Sequence, residues 1–315
     1  MGPVLFAADA DVSLEAQDVG LTLHLLWFLL TRPAKKLGLL TSSTHKFECL
    51  SVNASLGSTT LDVVGFSNIF VTDNIKQREP IVGRLARLYK VQYGKRVAVL
   101  KLAWTRTNRL PEGAVYEVLA TKDDKGNPLV SGIPTVYASG ILAKNVDGYR
   151  LEFSLMEDCG ESIVSYFRNL RKENALNNTV APAVKRCVES VMQTLAEARH
   201  VSILHRDISA GNIAIKNGRA YVIDWGYAKL LYPPNERLTT VTTELLKEGN
   251  PGREEFIERW GLDWGEVMDT EKAKDPFTGT SWYMSIQVLF QVRDRGIFND
   301  IESLFYVILD ALSDR

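Results

Sequence analysis

The chain has 315 residues, 45% of them hydrophobic and 24% charged, and its 37 basic and 38 acidic side chains leave a formal net charge of −1. That length buries a large core, as one two-lobed domain or two ordinary ones, and the near-neutral balance argues against a nucleic-acid groove or an anionic membrane surface as partner. Cys49, Cys159 and Cys187 are odd in number, widely spaced and without a C-x-x-C, which excludes a disulfide framework and a zinc site and suits a reducing, intracellular compartment, cytoplasmic or nuclear.

In chain order, Met1 to Leu14 carries acidic residues and no basic start, so no signal peptide is expected. The most apolar run, Leu21 to Leu30, contains His24 and is too short to span a bilayer; it predicts a buried docking helix ending near Pro33. From His45 to Asp73 the pattern turns β-like, through Phe47, Leu50 and Val52, then Thr60 to Val64, then Ile69 to Val71, with Gly57 and Gly65 as turn residues. Residues 1–80 therefore read as an extension of one helix and a β-like segment. Ile81 to Leu85 opens a hairpin whose turn is Tyr93-Gly94-Lys95-Arg96, and Val97 to Leu102 alternates as a strand. Lys101 lies on one face of it with Val97 and Val99. A lysine among apolar neighbours needs an anionic partner or phosphate, or else reaches water by its stem. Arg109 to Leu119 predicts a helix with Pro111 in its first turn; Glu112, and after it Glu117, is the preferred acid for Lys101.

Ile133 to Tyr137 and Tyr149 to Leu155 read as two more strands, and Met156 to Gly160 as either a hinge whose backbone pairs with an adenine edge or a plain turn. Glu161 to Leu170 looks helical. Pro182 to His200 is helical by the recurrence of Val184, Cys187, Val188, Val191, Met192 and Leu195 at spacings of three and four. Next comes HRDISAGNIAIKNGRAYVIDWG, His205 to Gly226. Its Asn217-Gly218 between two β-prone runs is a strong hairpin signal, because both turn positions take positive φ. The hairpin holds Asp207 and Asn212 at its start and Asp224 at its exit. A polar stretch then runs to Pro276 with one short helical run, Arg253 to Trp260. Thr278 to Gln287 follows, and Asp300 to Leu309 predicts a hydrophobic helix capped by Asn299.

Phosphoryl transfer requires such a set. One carboxylate orients and deprotonates an attacking hydroxyl, while an amide oxygen and a second carboxylate hold magnesium, since hard cations prefer oxygen. The H-R-D-x-x-x-x-N spacing followed by D-x-G resembles the catalytic and metal-binding segments of protein kinases. More narrowly, Lys101-Leu102-Ala103-Trp104, Glu112-Gly113, HRDISAGNI, Ile223-Asp224-Trp225, TGTSWYMS and Asp300-Ile301-Glu302-Ser303 resemble the fungal-type protein kinase family.

The resemblance implies an α+β, two-lobed protein-kinase-like fold. It has a β-rich small lobe over 81–158 and a mainly helical large lobe over 159–315, incomplete at the C-terminus because the sequence stops soon after the Asp300 helix. It implies ATP and Mg as cofactors and Ser/Thr hydroxyls of a protein substrate as acceptors. Asp207 would be the base, Asn212 and Asp224 the magnesium ligands, and Lys101 with Glu112 the phosphate-anchoring pair. Gly83 would belong to the phosphate loop, and Arg206 would receive a phosphate or acid from 227–277. Thr280 would lie in the substrate loop beside Asp207, and His205, Gly226 and Asp300 would be structural. Departures from the pattern are a phosphate loop with one glycine, Ser209 where a lysine is common, and Gln287 where an acid is usual. An incomplete large lobe would expose apolar surface around Leu304, Phe305 and Val307. The competing readings are a pseudokinase or binding module, and a small-molecule phosphotransferase. TGTSWYMS argues against the last, which lacks such a substrate loop.

Overall fold

Strand β4 (Arg96–Arg106) runs RVAVLKLAWTR, and its alternation decides the architecture around it. Ala98, Leu100 and Leu102 point to one face, where they pack with Val91, Phe153 and Leu155 in a small core. Val99, Lys101 and Ala103 point to the other. β3 (Ala86–Tyr93) joins β4 through the two-residue loop Gly94-Lys95, with Tyr93 opposite Arg96 and Gly94 at φ 59°. On the other side β4 pairs with β6 (Tyr149–Glu157), which in turn pairs with β5 (Val136–Val146). Between β4 and β5 lies helix α1 (Glu112–Leu119).

The computed structural model describes residues 59–63, 66–74, 86–146, 148–173, 179–231, 249–272, 279–290 and 296–313. All fall in one of the two units into which the chain divides. Among them a six-stranded antiparallel sheet runs β1-β2-β3-β4-β6-β5, where β1 is Thr59–Val63 and β2 is Phe66–Asn74. The two β-like runs placed in the extension thus join this sheet, β2 pairing with β3 and β1 with β2 at the edge. The Leu21–Leu30 helix, the Phe47–Val52 run, the Ile81–Leu85 strand and Gly83 lie outside the described residues.

The chain beyond β6 is mainly helical. After β7 (Glu161–Ser162) come α2 (Ile163–Glu173) and α3 (Val180–His200). Then follow β8 (Ile203–Leu204), the hairpin β9 (Ile213–Lys216) and β10 (Arg219–Val222), and β11 (Lys229–Leu230). The remaining helices are α4 (Pro251–Trp260), α5 (Trp264–Lys272), α6 (Ile286–Leu289) and α7 (Ile297–Leu312). Phe167, Val191, Leu195, Ile203, Ile213, Trp225, Leu304 and Val307 are among the residues of one core that also takes in Val115 and Leu119 of α1. This α+β arrangement, sheet first and helices later, is the kinase-like fold class implied by the sequence. Among the described residues no helix is long and apolar enough to cross a membrane.

Several local expectations shift. β5 begins at Val136 and continues to Val146, because Ile133-Pro134-Thr135 precedes the ladder and Pro134 has no N–H to donate. Met192 is 42% exposed, whereas Thr194 and Ala198 complete the buried stripe of α3 with Cys187, Val191 and Leu195. Asn299 sits three residues into α7 rather than at its cap, its Oδ1 accepting the Gly296 N–H at 2.7 Å. Leu304 and Val307 are buried, and of the three residues expected to be uncovered only Phe305 is exposed. The polar stretch also contains α5, whose start is marked by Asp263: its Oδ1 accepts the Glu266 N–H at 3.0 Å. The Asp-x-x-Glu spacing and the apolar Trp264, Val267 and Met268 were its legible signals.

Truncating Leu195 to alanine leaves a cavity in the core and is expected to lower stability by about 2–5 kcal/mol. Met192→Ala is expected to stay within about 0.5 kcal/mol. Urea unfolding midpoints of the two variants measure the difference.

Candidate active site

The hairpin of β9 and β10 closes through Asn217-Gly218, at φ 53° and 75°, with Lys216 opposite Arg219. This two-residue turn matches the strand twist and sets the register. Asn212 precedes β9 and Ile223 follows β10; the Ile223 N–H donates to Asn212 O at 2.9 Å. Asn212 and Asp224 are thereby held side by side at the open end of the hairpin. The Asn212 amide Nδ2 donates to Asp207 O at 2.8 Å and to Asp207 Oδ2 at 3.2 Å.

The loop carrying Asp207 is fastened from beneath. Buried Asp300, in the first turn of α7, accepts the His205 N–H at 3.1 Å and the Arg206 N–H at 3.0 Å. His205 Nε2 lies 3.0 Å from Ile223 O, and its Nδ1 accepts the Asp207 N–H at 3.2 Å. Together these bonds select the tautomer protonated at Nε2. The imidazole stands edge-on to Trp225, with ring centroids 4.6 Å apart. Gly226 lies in the single 3₁₀ turn Trp225–Tyr227. Arg206 and Asp224 adopt φ of 66° and 60°. Non-glycine residues held left-handed cost roughly 1–3 kcal/mol each and cluster at functional sites. Arg206 Nε donates to Tyr227 O at 2.8 Å, so this predicted acceptor of a phosphate or acid braces the turn after Asp224.

Lys101 joins the sheet to this loop. It is 6% exposed, and its Nζ lies 2.6 Å from Glu112 Oε2 and 2.7 Å from Asp224 Oδ1. Glu117, the other sequence candidate, points elsewhere and meets Arg259 and Trp260. Tyr116, one turn after Glu112, is fully buried. Burial first, then the charges of Glu112 and Asp224, push its hydroxyl well above the usual tyrosine range, so it stays neutral.

Thr280 meets Asp207 directly. Both its N–H and its Oγ1 lie 2.9 Å from Asp207 Oδ1. Gly279 permits this approach: its φ is 114°, and a Cβ there would stand 3.0 Å from Arg206 O. The following turn, Ser281–Tyr283, is tied to α7 by the Tyr283 hydroxyl, which donates to Asp310 Oδ2 at 2.7 Å. Gln287 Oε1 and Ser285 Oγ receive the Asn299 amide, at 3.5 and 2.8 Å.

The sequence reading missed Glu152. This 4% exposed carboxylate on β6 accepts the Glu112 N–H at 3.0 Å, Arg150 Nε at 2.6 Å and the Thr105 hydroxyl. Arg150 also donates to Thr107 O at 3.0 Å and to Arg109 O. Because Pro111 at the start of α1 provides no side-chain cap, Glu152 takes over that task from the neighbouring strand. The alternation of opposite charges in Arg150-Leu151-Glu152 within an apolar strand was the available signal.

Asn212 and Asp224 present an amide oxygen and a carboxylate. An oxygen donor set of this kind, completed by water and phosphate, suits a small hard cation such as magnesium. Residues 155–311 match a family model described as fungal protein kinase. No curated protein matches the chain. Asp207, Asn212, Asp224, Thr280 and Asp300 lie within the matched residues; Lys101, Glu112 and Glu152 lie before them.

Glu152→Ala strands Arg150 in the core and is expected to destabilise the protein by about 3–5 kcal/mol, measured by urea unfolding. Burial pushes the thiols of Cys159 and Cys187 up to about 12, a shift that leaves both protonated at neutral pH. In the native state both are expected to react with iodoacetamide at pH 8 about 10³-fold more slowly than an exposed cysteine, followed by mass spectrometry.

Proposed function

The chain belongs, over residues 155–311, to the fungal protein kinase family, and from that premise we propose that it transfers the γ-phosphoryl group of magnesium-bound ATP to serine and threonine hydroxyls of protein substrates. Phosphoryl transfer of the protein-kinase type follows from the family. The nucleotide, the metal and the acceptor are the proposal. One observation carries it: two polar clusters, Glu112–Lys101–Asp224 and Thr280–Asp207–Asn212, are joined through the Ile223 N–H on Asn212 O.

In this reading Asp207 would accept the proton of the acceptor hydroxyl. Its orientation is set by Asn212 on one oxygen and Thr280 on the other. Placement of this kind contributes more than a shifted pKa, because a reactant held in line loses little further entropy on the way to the transition state. Lys101, pinned by Glu112, would present its ammonium group to phosphate oxygens as a point charge. Asn212 and Asp224 would hold magnesium, which supplies charge neutralisation on the phosphate oxygens when bound. Thr280, beside the base, would line the position of the acceptor side chain.

The test is transfer of labelled phosphate from ATP with magnesium, offered a basic protein and small amino alcohols in parallel. Label is expected on serine or threonine of the protein acceptor. Asp207→Asn is expected to lower the rate about 10²–10⁴-fold. Label on the small acceptors alone, or none from folded protein, would overturn the proposal.

A further inference from the structure

Helix α1 carries Glu112, yet its eight residues are too few to hold a position by themselves, and Pro111, at the N-cap before it, makes no side-chain cap. Glu152 fixes the first turn. The last turn is fixed by a part of the chain about 140 residues away. Glu117 lies five positions after Glu112, about 140° further around the helix axis, so it faces away from Lys101. Its Oε2 accepts the indole N–H of Trp260 at 2.8 Å, and its Oε1 pairs with the Arg259 guanidinium. Arg259 is itself steadied by Glu255 at 2.7 Å.

Contact between the helices is close as well as polar. The Trp260 ring, 5% exposed, rests on Gly113: a Cβ at that position would stand 2.5 Å from Trp260 Cη2 and 2.7 Å from the Ser139 Cβ on β5. Helix α1 thus fits between β5 and Trp260 because residue 113 has no side chain. α4 is in turn firmly placed. Asn250 Oδ1 accepts the Gly252 N–H at 2.9 Å at its start, and Gly261 closes it at φ 54°. Phe256, Leu262, Val267 and Met268 sink into the core that also contains Leu110, Val115 and Leu119.

We propose that Trp260 and Arg259 are positioning residues for Glu112, so that docking of α4 on α1 through Glu117 sets whether Glu112 meets Lys101. The consequence for phosphoryl transfer rests on the function proposed above; the geometric claim does not. α4 acts here as a clamp supplied by the segment that follows Asp224-Trp225-Gly226.

The experiment compares the full chain with Trp260→Phe, which keeps a ring and removes the N–H, and with Glu117→Gln, a change at a partly exposed site that keeps the fold testable if the first variant fails to fold. Three quantities are read: amide hydrogen exchange of residues 112–119 against 180–200, pulsed acetylation of Lys101 by mass spectrometry, and kcat and KM for labelled-phosphate transfer. Both variants are expected to raise exchange of α1 and acetylation of Lys101 about tenfold while leaving α3 unchanged, as loss of a hydrogen bond to a charged group predicts. kcat is expected to fall by a similar factor with the acceptor KM unchanged. Unchanged α1 exchange and Lys101 acetylation in Glu117→Gln would overturn the proposal, as would a rise spread equally over α3. If the wild-type protein transfers no phosphate while α1 and Lys101 respond, the proposed function fails and the clamp stands. If it transfers phosphate and neither responds, the clamp alone fails.

Discussion

Burying the ammonium group of Lys101 strips it of water at a cost of several kcal/mol, which only well-placed carboxylates offset. Glu112 at 2.6 Å and Asp224 at 2.7 Å take that role, and they come from a helix and from the end of a hairpin, while Lys101 comes from a central strand. One cation therefore ties together the sheet, α1 and the Asp207 loop. Glu112 is as deeply buried as Lys101, so neither group is stable there without the other. The supporting contacts have the same logic. Glu152 receives the Glu112 N–H, Arg150 neutralises Glu152, and Glu117 takes Trp260 and Arg259 on the far side of the helix.

A second constraint lies in the backbone. Arg206 and Asp224 both hold left-handed φ, and both are locked by several bonds at once. Asp300 takes two consecutive N–H groups, His205 links Ile223 to Asp207, and Arg206 reaches Tyr227. Strain of this size persists only where neighbours determine the conformation from several directions. The result is that Asp207, Asn212 and Asp224 stand in fixed relation before any substrate arrives, the condition under which positioning contributes most to phosphoryl transfer. The family match begins at Leu155 and so takes in this loop, whereas the strand and helix that bring Lys101 and Glu112 to it precede the match.

Much of this was readable from the amino acids. The Asn217-Gly218 turn, the alternation of β4 and the three-and-four spacing of α3 are local signals, and local signals survive without knowledge of the fold. So did the grouping of Asp207, Asn212 and Asp224, since one hairpin joins them. Met192 and Asn299 were misjudged for a related reason. The angular position of a side chain on a helix follows from sequence, but which edge of the stripe meets a neighbour does not.

By itself the sequence determined the elements, the hairpin and the identity of the charged residues, because backbone preferences and short spacings act within a few residues. Only the tertiary structure decided the partners. Glu112 rather than Glu117 meets Lys101, Glu152 caps a helix from another strand, and Trp260 reaches α1 from 143 positions away. The physical reason is that a buried charge must find its counter-charge in space, and the chain brings such groups together only when the sheet and helices have packed.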